Sequence, residues 1–333
     1  MGVALREVLR DYKEPVGWDS LSGTAAIDGN NALYQFLTII RQQDGTPLMN
    51  SEGKVTSHLS GLFFRTARFL EYGIQPVYVF DGKPPDLKSS TIEKRREIRD
   101  RAGEALKVAQ KEGDAAESYK QARAATRVDE WVIESSKELL RAMGIPFVDA
   151  PSEGEAQAAY MVQRGDLDFS VSQDYDSLLF GVPVLVRNLA VSGKRRVRGR
   201  TITVVPEKLY LAKVLEGLEI SRENLIEMSI LIGTDFNDGI RGIGPKTALK
   251  IVRNDAFCET LAERAPDFDP EPVLEFFRSP PVTDAYDIAW KTPDEGALRA
   301  LLCDRYEFTP ERVDAVLTKM RTTAGQKTLD QWF

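Results

Sequence analysis

Two pairs of carboxylates lie within one short stretch of the chain. Glu153 and Glu155 form the first pair, and Asp174 and Asp176 form the second. The members of each pair are two residues apart, so on extended backbone their side chains point the same way and can converge. Like charges brought together repel and shift each other's pKa unless a cation neutralises them. Mg²⁺ prefers carboxylate oxygens and water, and this pattern therefore favours a magnesium site.

A structural explanation is also open for the first pair. Pro151 and Ser152 are typical of a helix start, with Ser152 as the N-cap. Glu155, three residues after Ser152, would then complete a capping box, and the acids would belong to a solvated loop. The two explanations differ in what surrounds the glutamates, which depends on the elements that precede them.

Four apolar runs predict buried strands, and an acid follows each of them. The runs occupy residues 24–27, 76–80, 145–148 and 169–171. Asp28 follows the first run and Asp81 the second, while the two carboxylate pairs follow the third and the fourth. A further acid, Asp235, comes after the apolar run at 230–232.

Helices are predicted between these strands. Apolar residues recur with helical spacing over 31–42 and 57–72, and Gly73 follows the second helix as a C′ residue should. Strands that alternate with helices indicate an α/β fold with a mostly parallel central sheet and helices on both faces. Ligands bind beyond the carboxyl ends of such strands, where these acids lie, so the pattern favours a metal site over a solvated loop.

Residues 83–127 form a different kind of segment, which is helical, strongly basic and poor in large apolar residues. One interpretation is an exposed pair of helices with salt bridges on their surface. The other is a mobile helical arch above the acids, with its cations facing a phosphate backbone. Lys88 and Arg95 are seven residues apart, or two helical turns, and could share the face toward the site.

Two segments of the second half carry further patterns. The runs at 184–186 and 201–205 predict a strand pair around a basic loop at 194–198. Residues 239–248 resemble a P-loop, but Pro245 stands where the lysine should and has no amide hydrogen. Residues 235–239 likewise miss the calcium loop of an EF-hand, because the glycine comes one position early.

The glycine-rich segment fits a helix-hairpin-helix motif better. There a tight turn such as Gly242-Ile243-Gly244 lets backbone amides approach DNA phosphates without reading sequence. Lys246 would add a cation, and an ordinary pair of antiparallel helices is the structural alternative.

Composition excludes several other classes of protein. The 333 residues carry a net charge of −7, so any nucleic-acid contact depends on local basic patches. His58 is the single histidine, and its apolar neighbours favour a structural role over general-base catalysis or zinc binding. Cys258 and Cys303 are isolated thiols, as in a reducing cytosol. No run of 18 apolar residues or signal peptide is present, so we expect a cytoplasmic protein without a membrane span.

The chain ends on two aromatic residues. Leu329, Trp332 and Phe333 would cluster on one helical face, which suits either docking on the protein's own surface or a short linear motif that binds a partner.

Taken together, these segments resemble a flap endonuclease of the structure-specific 5′-nuclease family, in its archaeal form. The resemblance extends over essentially all 333 residues. It rests on Ala26-Ile27-Asp28, the segment 79–85, the Ala-Pro-Ser-Glu-x-Glu-Ala box, Asp174-Tyr175-Asp176 and the Gly-Ile-Arg-Gly-Ile-Gly-Pro-Lys hairpin. Gly29 departs from the family pattern, in which a small residue with a Cβ is usual.

The resemblance implies roles for individual residues. Two Mg²⁺ ions, for which Mn²⁺ can substitute, would be bound by Asp28, Asp81, Glu153, Glu155, Asp174, Asp176 and Asp235. Lys88 and Arg95 would act at the scissile phosphate, and Tyr34 would stack on the end base. Gly2, Arg41, Arg65 and Gly233 match family positions at or near the DNA, and they add to the contacts that the hairpin predicts for Gly242, Gly244 and Lys246. The tail matches the motif that binds a sliding clamp, with Gln326, Leu329, Trp332 and Phe333 at its defining positions.

The resemblance also implies a division of the chain and an activity. An N-terminal nuclease region at 1–100 and an internal one at 128–258 would flank a helical arch at 101–127, whose basic start begins near residue 83. A C-terminal helical region at 259–325 would precede the clamp-binding tail at 326–333. A monomer would cleave branched DNA with a 5′ flap in replication and repair, and would also act as a 5′→3′ exonuclease.

Two other functions are compatible with parts of this pattern. A protein that is mainly a 5′→3′ exonuclease would use the same acids and differ only in its relative rates on flaps and nicks. A non-catalytic DNA-binding protein tethered to the clamp should lack some of the acids, and all seven are present.

Overall fold

A computed structural model describes residues 2–42, 45–190, 193–197 and 200–330, with backbone only for 194–197, 200–202 and 322–330. Within these residues the chain forms nine strands. They are β1 Glu14–Pro15, β2 Gly23–Asp28, β3 Ile74–Phe80, β4 Phe147–Asp149, β5 Phe169–Val171, β6 Val184–Arg187, β7 Gly193–Val197, β8 Arg200–Val204 and β9 Glu207–Tyr210.

Seven of the strands form a central sheet in the order β1-β9-β6-β5-β2-β3-β4. The five from β6 to β4 are parallel to their neighbours, and β9 and β1 each pair antiparallel. The mostly parallel sheet expected from the alternation of strands and helices is therefore confirmed. Because the five strands are parallel, their carboxyl ends meet along one edge.

Helices cover both faces of this sheet. The first five are α1 Gly29–Ile39, α2 Ser57–Glu71, α3 Ser89–Glu112, α4 Ala115–Ala124 and α5 Glu130–Ala142. The next five are α6 Gly154–Gln163, α7 Asp176–Leu179, α8 Leu211–Leu218, α9 Arg222–Ile232 and α10 Pro245–Arg253. The last four are α11 Phe257–Arg264, α12 Glu271–Arg278, α13 Glu295–Arg299 and α14 Pro310–Asp330. Single 3₁₀ turns occupy Leu5–Glu7, Arg10–Tyr12, Trp18–Ser20 and Asp86–Lys88, and a π-helical turn occupies Ala300–Arg305.

Alternation along the central strands divides the core in two. Ile27 and Tyr78 point to the face covered by α1, α2, α5 and α14. Ala26, Val77 and Val79 point to the opposite face, which is covered by α6 and by the helices from α8 to α12. Each large apolar side chain buried in this way contributes about 1.5–3 kcal/mol. The sheet is thus fixed from both sides, which holds its carboxyl edge in place.

Helices α3 and α4 form the predicted helical insertion, called the arch below. Their buried residues are small, namely Ala102, Ala109, Ser118 and Ala122, which agrees with the scarcity of large apolar residues in the sequence. Gly113 ends α3 in the left-handed conformation at φ +70°. Asp114 then caps α4 through its bond from Glu117 N at 2.9 Å.

The strand pairing predicted for residues 184–205 is wrong in one respect. β6 pairs with β5 and β9 inside the central sheet, because its apolar residues suit a strand buried on both faces. The basic stretch is itself the strand β7, and it forms a two-stranded ribbon with β8. Arg198, placed in the predicted loop, lies outside the described residues.

Helices α9 and α10 contact each other across the glycine-rich segment. Gly233, Gly239 and Gly242 have φ values of +108°, +72° and +86°, which favour glycine. A Cβ at Gly242 or Gly244 would meet no atom within 4 Å, so this turn is open to solvent. The arrangement suits the hairpin interpretation, and its contact with DNA stays a prediction.

Three further expectations concern membrane spanning, the single histidine and the division of the chain into regions. Among the helices of the described residues, none is long and apolar enough to cross a membrane. His58 is buried between helices, with Nε2 2.9 Å from Ser135 Oγ, and burial lowers its pKa to about 3. A histidine that stays neutral in this position is structural, as its apolar neighbours predicted. The division into nuclease, arch and C-terminal regions stays a prediction.

Candidate active site

Two acids stand at the ends of the central strands. Asp28 is the last residue of β2 and also the N-cap of α1, where its Oδ1 accepts a bond from Asn31 N at 2.9 Å. Asp81 follows β3 directly and accepts a bond from Gly154 N at 2.7 Å. Asp28 is buried, whereas Asp81 is accessible to solvent. Each acid thus accepts a hydrogen bond from a free amide at the start of a helix, which is α1 for Asp28 and α6, the helix after β4, for Asp81.

The second carboxylate pair follows β5. Asp174 Oδ1 accepts a bond from Gly2 N at 2.9 Å, and its Oδ2 accepts one from Asn31 Nδ2 at 3.1 Å. Asp176 Oδ1 accepts a bond from Val3 N at 2.8 Å. A Cβ on Gly2 would lie 2.8 Å from Asp174 Cβ, so the close approach of the chain start requires glycine.

Glu155 points into the same cluster. Its Oε1 lies 2.8 Å from Ser172 Oγ and 2.9 Å from Ser177 Oγ, and Ser172 Oγ also lies 3.1 Å from Asp28 Oδ2. The capping-box alternative is therefore excluded, and the prediction of Ser152 as the N-cap is wrong. Helix α6 begins at Gly154 with Glu153 as its N-cap, one residue later than predicted, and Ser152 Oγ is buried without a hydrogen-bond partner among the described residues.

The remaining two acids contact cations at the start of the arch, namely Lys88 just before α3 and Arg95 within it. Lys88 Nζ lies 2.5 Å from Glu153 Oε2 and 3.7 Å from Asp235 Oδ2. Arg95 Nη2 donates to both oxygens of Asp235, at 2.6 and 2.7 Å. The predicted common face of Lys88 and Arg95 is confirmed, and it is turned toward the acids. Asp235 comes from the segment after α9 and completes the cluster.

Burial and mutual repulsion make this cluster electrostatically unusual. Burial, and then the charges of Asp81 and Asp174, raise the pKa of Asp28 to about 8. Burial also raises the pKa of Asp176 to about 7, with a further contribution from Asp174. The pKa of Glu155 is raised well above its ordinary value, first by burial and then by Asp176 and Asp28. These shifts mean that the folded chain holds negative charge here at a cost in free energy.

Lys88 responds in the opposite sense. Burial alone would lower the pKa of Lys88, but the charge of Glu153 and the hydrogen bond to it outweigh burial and raise that pKa. Lys88 is therefore a permanent cation at the edge of the acid cluster.

The donors present suit a hard divalent cation. Buried carboxylates with raised pKa values gain most from a counter-charge, and their oxygens are the ligands that Mg²⁺ prefers. Among the described residues, no group of three or more His, Cys, Asp or Glu side chains is arranged to hold a metal ion. Two of the acids are bound to Lys88 and Arg95 instead.

Three of the predicted DNA contacts lie on α1, just after it, and on α2. Tyr34 on α1 is 40% exposed, so its ring is available for stacking. Arg41 donates to Gly45 O at 2.8 Å and to Thr126 Oγ1 at 2.5 Å, which connects the end of α1 to the base of the arch. Arg65 is half-buried beside the ring of Trp18, and burial lowers its pKa to about 10. The structure thus places Tyr34 and Arg41 near the arch, while Arg65 lies on α2.

Side-chain contacts are described for the hairpin but not for the tail. Lys246 is exposed at the start of α10 and forms an ion pair with Glu7 at 2.8 Å. Gln326 and Leu329 belong to the part of α14 described by backbone only, and Trp332 and Phe333 lie outside the described residues. The roles of these residues stay predictions.

Three hydrogen-bonding residues of the cluster were not predicted. Ser172 contacts Asp28 and Glu155, Ser177 contacts Glu155, and Asn31 contacts Asp28 and Asp174. The sequence carries a signal for each of them. Ser172 and Ser177 stand on either side of the segment 174–176, and Asn31 lies three residues after Asp28.

The chain is similar to known nucleases in both sequence and fold. The XPG N-terminal domain matches residues 1–102, and the XPG I-region matches residues 144–235. The chain is 64% identical to flap endonuclease 1 of Methanosphaerula palustris and 62% identical to that of Methanoregula boonei, over 333 residues and 100% of each chain. The solved structure of flap endonuclease-1 from Methanococcus jannaschii is 40% identical, with a TM-score of 0.77 over 96% of this chain and 99% of that one. The catalytic core of Rad2, solved in complex with a DNA substrate, is 24% identical with a TM-score of 0.71 and shares the fold.

Proposed function

This chain belongs to the flap endonuclease family of XPG-type nucleases, which hydrolyse phosphodiester bonds of DNA according to the structure of the substrate, and from this we propose how its residues perform that reaction. The observation that supports the proposal is the meeting of seven carboxylates at one sheet edge, with Lys88 and Arg95 against them. Buried acids whose pKa values are raised are typical of catalytic and metal-binding sites.

The acid cluster would hold two Mg²⁺ ions, for which Mn²⁺ can substitute. Asp28, Asp81, Glu155, Asp174 and Asp176 have oxygens that face the cluster, and Glu153 and Asp235 would join them once their arch cations move to the substrate. When bound, the ions would lower the pKa of a water so that it loses its proton to solvent and attacks phosphorus as hydroxide, and they would supply a counter-charge for the leaving oxygen.

Lys88 and Arg95 would neutralise charge on the scissile phosphate. In the structure each contacts a carboxylate, which supports a role for both residues in binding an anion. A phosphate oxygen could replace that carboxylate as the acceptor, and fixed cations in a partly buried cleft stabilise the developing negative charge more than water does.

The substrate of this site is branched DNA with a 5′ flap. Tyr34 would stack on the base at the end of the duplex, and Gly2, Arg41, Arg65 and Gly233 would lie near the backbone. The arch would accommodate the single-stranded 5′ end. Amides around Gly242 and Gly244, with Lys246, would contact duplex phosphates without reading sequence.

The setting of the reaction is also proposed. The protein would act as a monomer in the cytoplasm, and its tail, from Gln326 to Phe333, would bind a ring-shaped sliding clamp. An associated 5′→3′ exonuclease activity would use the same acids, since a nick is a flap of zero length.

The decisive experiment is cleavage of a labelled 5′-flap substrate. We expect cuts near the junction with Mg²⁺ and none with EDTA, and slower cleavage of a nicked duplex of the same sequence. Faster cleavage of the nick would favour a protein that is mainly an exonuclease. Binding of the flap without cleavage would indicate a DNA-binding protein tethered to the clamp.

A further inference from the structure

A groove leads away from the acid cluster along the start of the chain. Its volume is about 800 Å³, and its lining includes Gly2, Arg6, Arg10, Lys13, Asp174 and Pro245. Asp174 belongs to the acid cluster, and Pro245 is the first residue of α10, just after the glycine turn of the hairpin. The groove therefore connects the place of cleavage with the predicted duplex contact.

One wall of this groove is basic, although the chain as a whole has a net charge of −7. Arg6 and Arg10 are exposed on the two 3₁₀ turns at Leu5–Glu7 and Arg10–Tyr12. The ion pair of Arg10 is with the adjacent Asp11, at 3.3 Å, and both side chains are about four-fifths exposed. Such a pair contributes little free energy and leaves Arg10 available to another anion.

The floor of the groove is rigid. Arg187 is buried, and it donates to Tyr175 Oη at 2.5 Å and to Gln173 O at 2.8 Å. Lys13 lies over the Tyr175 ring at 5.6 Å and forms a long ion pair with Glu207 at 3.8 Å. These contacts fix the shape of the groove next to Asp174 before any ligand arrives, which lowers the ordering cost of binding.

We infer that this groove binds the phosphodiester backbone of the cut strand between the acid cluster and the hairpin, with Arg6 and Arg10 as its phosphate contacts. The inference rests on the proposed function, because it takes branched DNA as the ligand. A strand that runs from Asp174 to Pro245 passes the basic wall. Contacts here set the register of the duplex, so that one phosphate only is presented to the acids.

Glu7 adds a restraint to the same groove. Its Oε1 lies 2.8 Å from Lys246 Nζ, and the two side chains are 55% and 77% exposed. DNA that binds the groove and the hairpin must separate this pair and bring phosphate beside Glu7. Glu7 therefore weakens DNA binding, and its replacement by glutamine frees Lys246 and removes a repulsive charge.

The test compares three variants for flap binding in Ca²⁺, over a range of salt concentrations. Arg6→Ala plus Arg10→Ala should reduce the slope of log affinity against log salt by about 2, since each lost phosphate contact lowers it by about 1. Glu7→Gln should bind more tightly, by several-fold. The control is Lys291→Ala, because Lys291 is exposed and its backbone bonds to Gly144 at the opposite edge of the sheet.

The outcomes separate this inference from the proposed function. Thermal unfolding first establishes that the double variant is folded. The assignment of the groove alone would be overturned if the wild type cuts flaps but the double variant has the same salt slope as Lys291→Ala. Wild-type protein that neither binds nor cuts flap DNA would overturn both. Ethylation of substrate phosphates should interfere with wild-type binding between the cut and the hairpin, and this interference should disappear in the double variant.

Discussion

Lys88 Nζ lies 2.5 Å from Glu153 Oε2, within a pair whose side chains are 14% and 12% exposed. Lys88 precedes the arch helix α3, whereas Glu153 belongs to the sheet edge as the N-cap of α6. The pair therefore connects the arch to the acid cluster. Under the proposed function Lys88 would meet the scissile phosphate beside this acid, which makes it a candidate for the chemical step.

Replacing Lys88 or Arg95 by alanine should slow the cleavage step rather than weaken DNA binding. Loss of one group that stabilises transition-state charge commonly costs about 10²-fold or more in rate. Single-turnover cleavage with saturating enzyme measures that step. Arg101→Ala is the matched control, because Arg101 pairs with Glu97 on the outer surface of the same helix, at 3.3 Å. A higher dissociation constant with an unchanged cleavage rate would make both residues backbone contacts.

Asp81→Asn and Asp176→Asn should each reduce cleavage by orders of magnitude. Either change removes a negative charge but keeps the shape, so Mg²⁺ loses a ligand on which its affinity depends. Flap affinity measured in Ca²⁺ should persist or increase, since the acids repel phosphate. The control is Asp149→Asn: Asp149 ends β4 at the same sheet edge but pairs with Lys137 at 2.9 Å. Near-normal cleavage by the Asp81 or Asp176 variant would contradict the two-metal assignment.

The acid cluster should make the metal-free protein less stable as pH rises. The pKa of Asp28 rises from 3.8 to about 8 on folding, so between these values the folded chain holds a proton that the unfolded chain has lost. Stability then falls with increasing pH across that window. Asp28→Asn should remove this contribution, so in EDTA its melting temperature should exceed that of the wild type more at pH 8 than at pH 5.

Melting curves with and without Mg²⁺ complete this measurement. Each kcal/mol of change in the free energy of unfolding should shift the melting temperature by about 2–4 °C. Mg²⁺ at pH 8 should stabilise the wild type more than the Asp28 variant. An equal gap between the two proteins at pH 5 and pH 8 would show that Asp28 ionises normally.

Gly29→Ala should destabilise the protein, although alanine favours helices. A Cβ at this position would lie 2.8 Å from the Phe80 ring and 2.9 Å from Val79 O, both in the buried end of β3. Overpacking of this kind costs about 1–3 kcal/mol. Gly103→Ala is the control: its Cβ would meet no atom within 4 Å, and the change should stabilise helix α3 by about 0.5–1 kcal/mol. Phe80→Leu should partly rescue Gly29→Ala, and a lack of rescue would exclude the ring as the cause.

Removal of residues 326–333 should leave cleavage of free flap DNA nearly unchanged but abolish its stimulation by a sliding clamp. Buried aromatic anchors carry most of the binding energy in such interfaces, about 2 kcal/mol or more each. Trp332→Ala plus Phe333→Ala should therefore have the same effect as the deletion. Undiminished clamp affinity in that double variant would show that the tail is not the clamp-binding motif.

The positions of the acids could be predicted from sequence because each depends on a short, strongly patterned segment. The apolar runs before Asp28 and Asp81 fix a buried strand, and parallel strands bring their ends together. The start of α6 was misplaced by one residue for a different reason. Ser152 has the side chain of an N-cap, but β4 ends at Asp149 and the loop that follows carries Glu153 into the cap position instead.

Pairing between distant segments was harder to predict. Nothing local in residues 184–186 distinguishes β8 from β9 as a partner, and only the competition for a place in the buried sheet decides it. The same holds for the bond from Gly2 N to Asp174 and for the groove lined by Arg6 and Arg10, because these form only when the start of the chain meets its middle.

The central position of β2 has a consequence for biosynthesis. This strand is made early, yet it pairs on one side with β5, and Asp28 contacts Ser172 from 144 residues further along. The cluster is complete only when Asp235 has been added. A ribosome-bound chain that ends before that residue has no complete acid cluster, and contacts of such long range form late in folding. The nuclease should therefore stay inactive throughout most of its own synthesis, which protects nearby DNA from an unfinished enzyme.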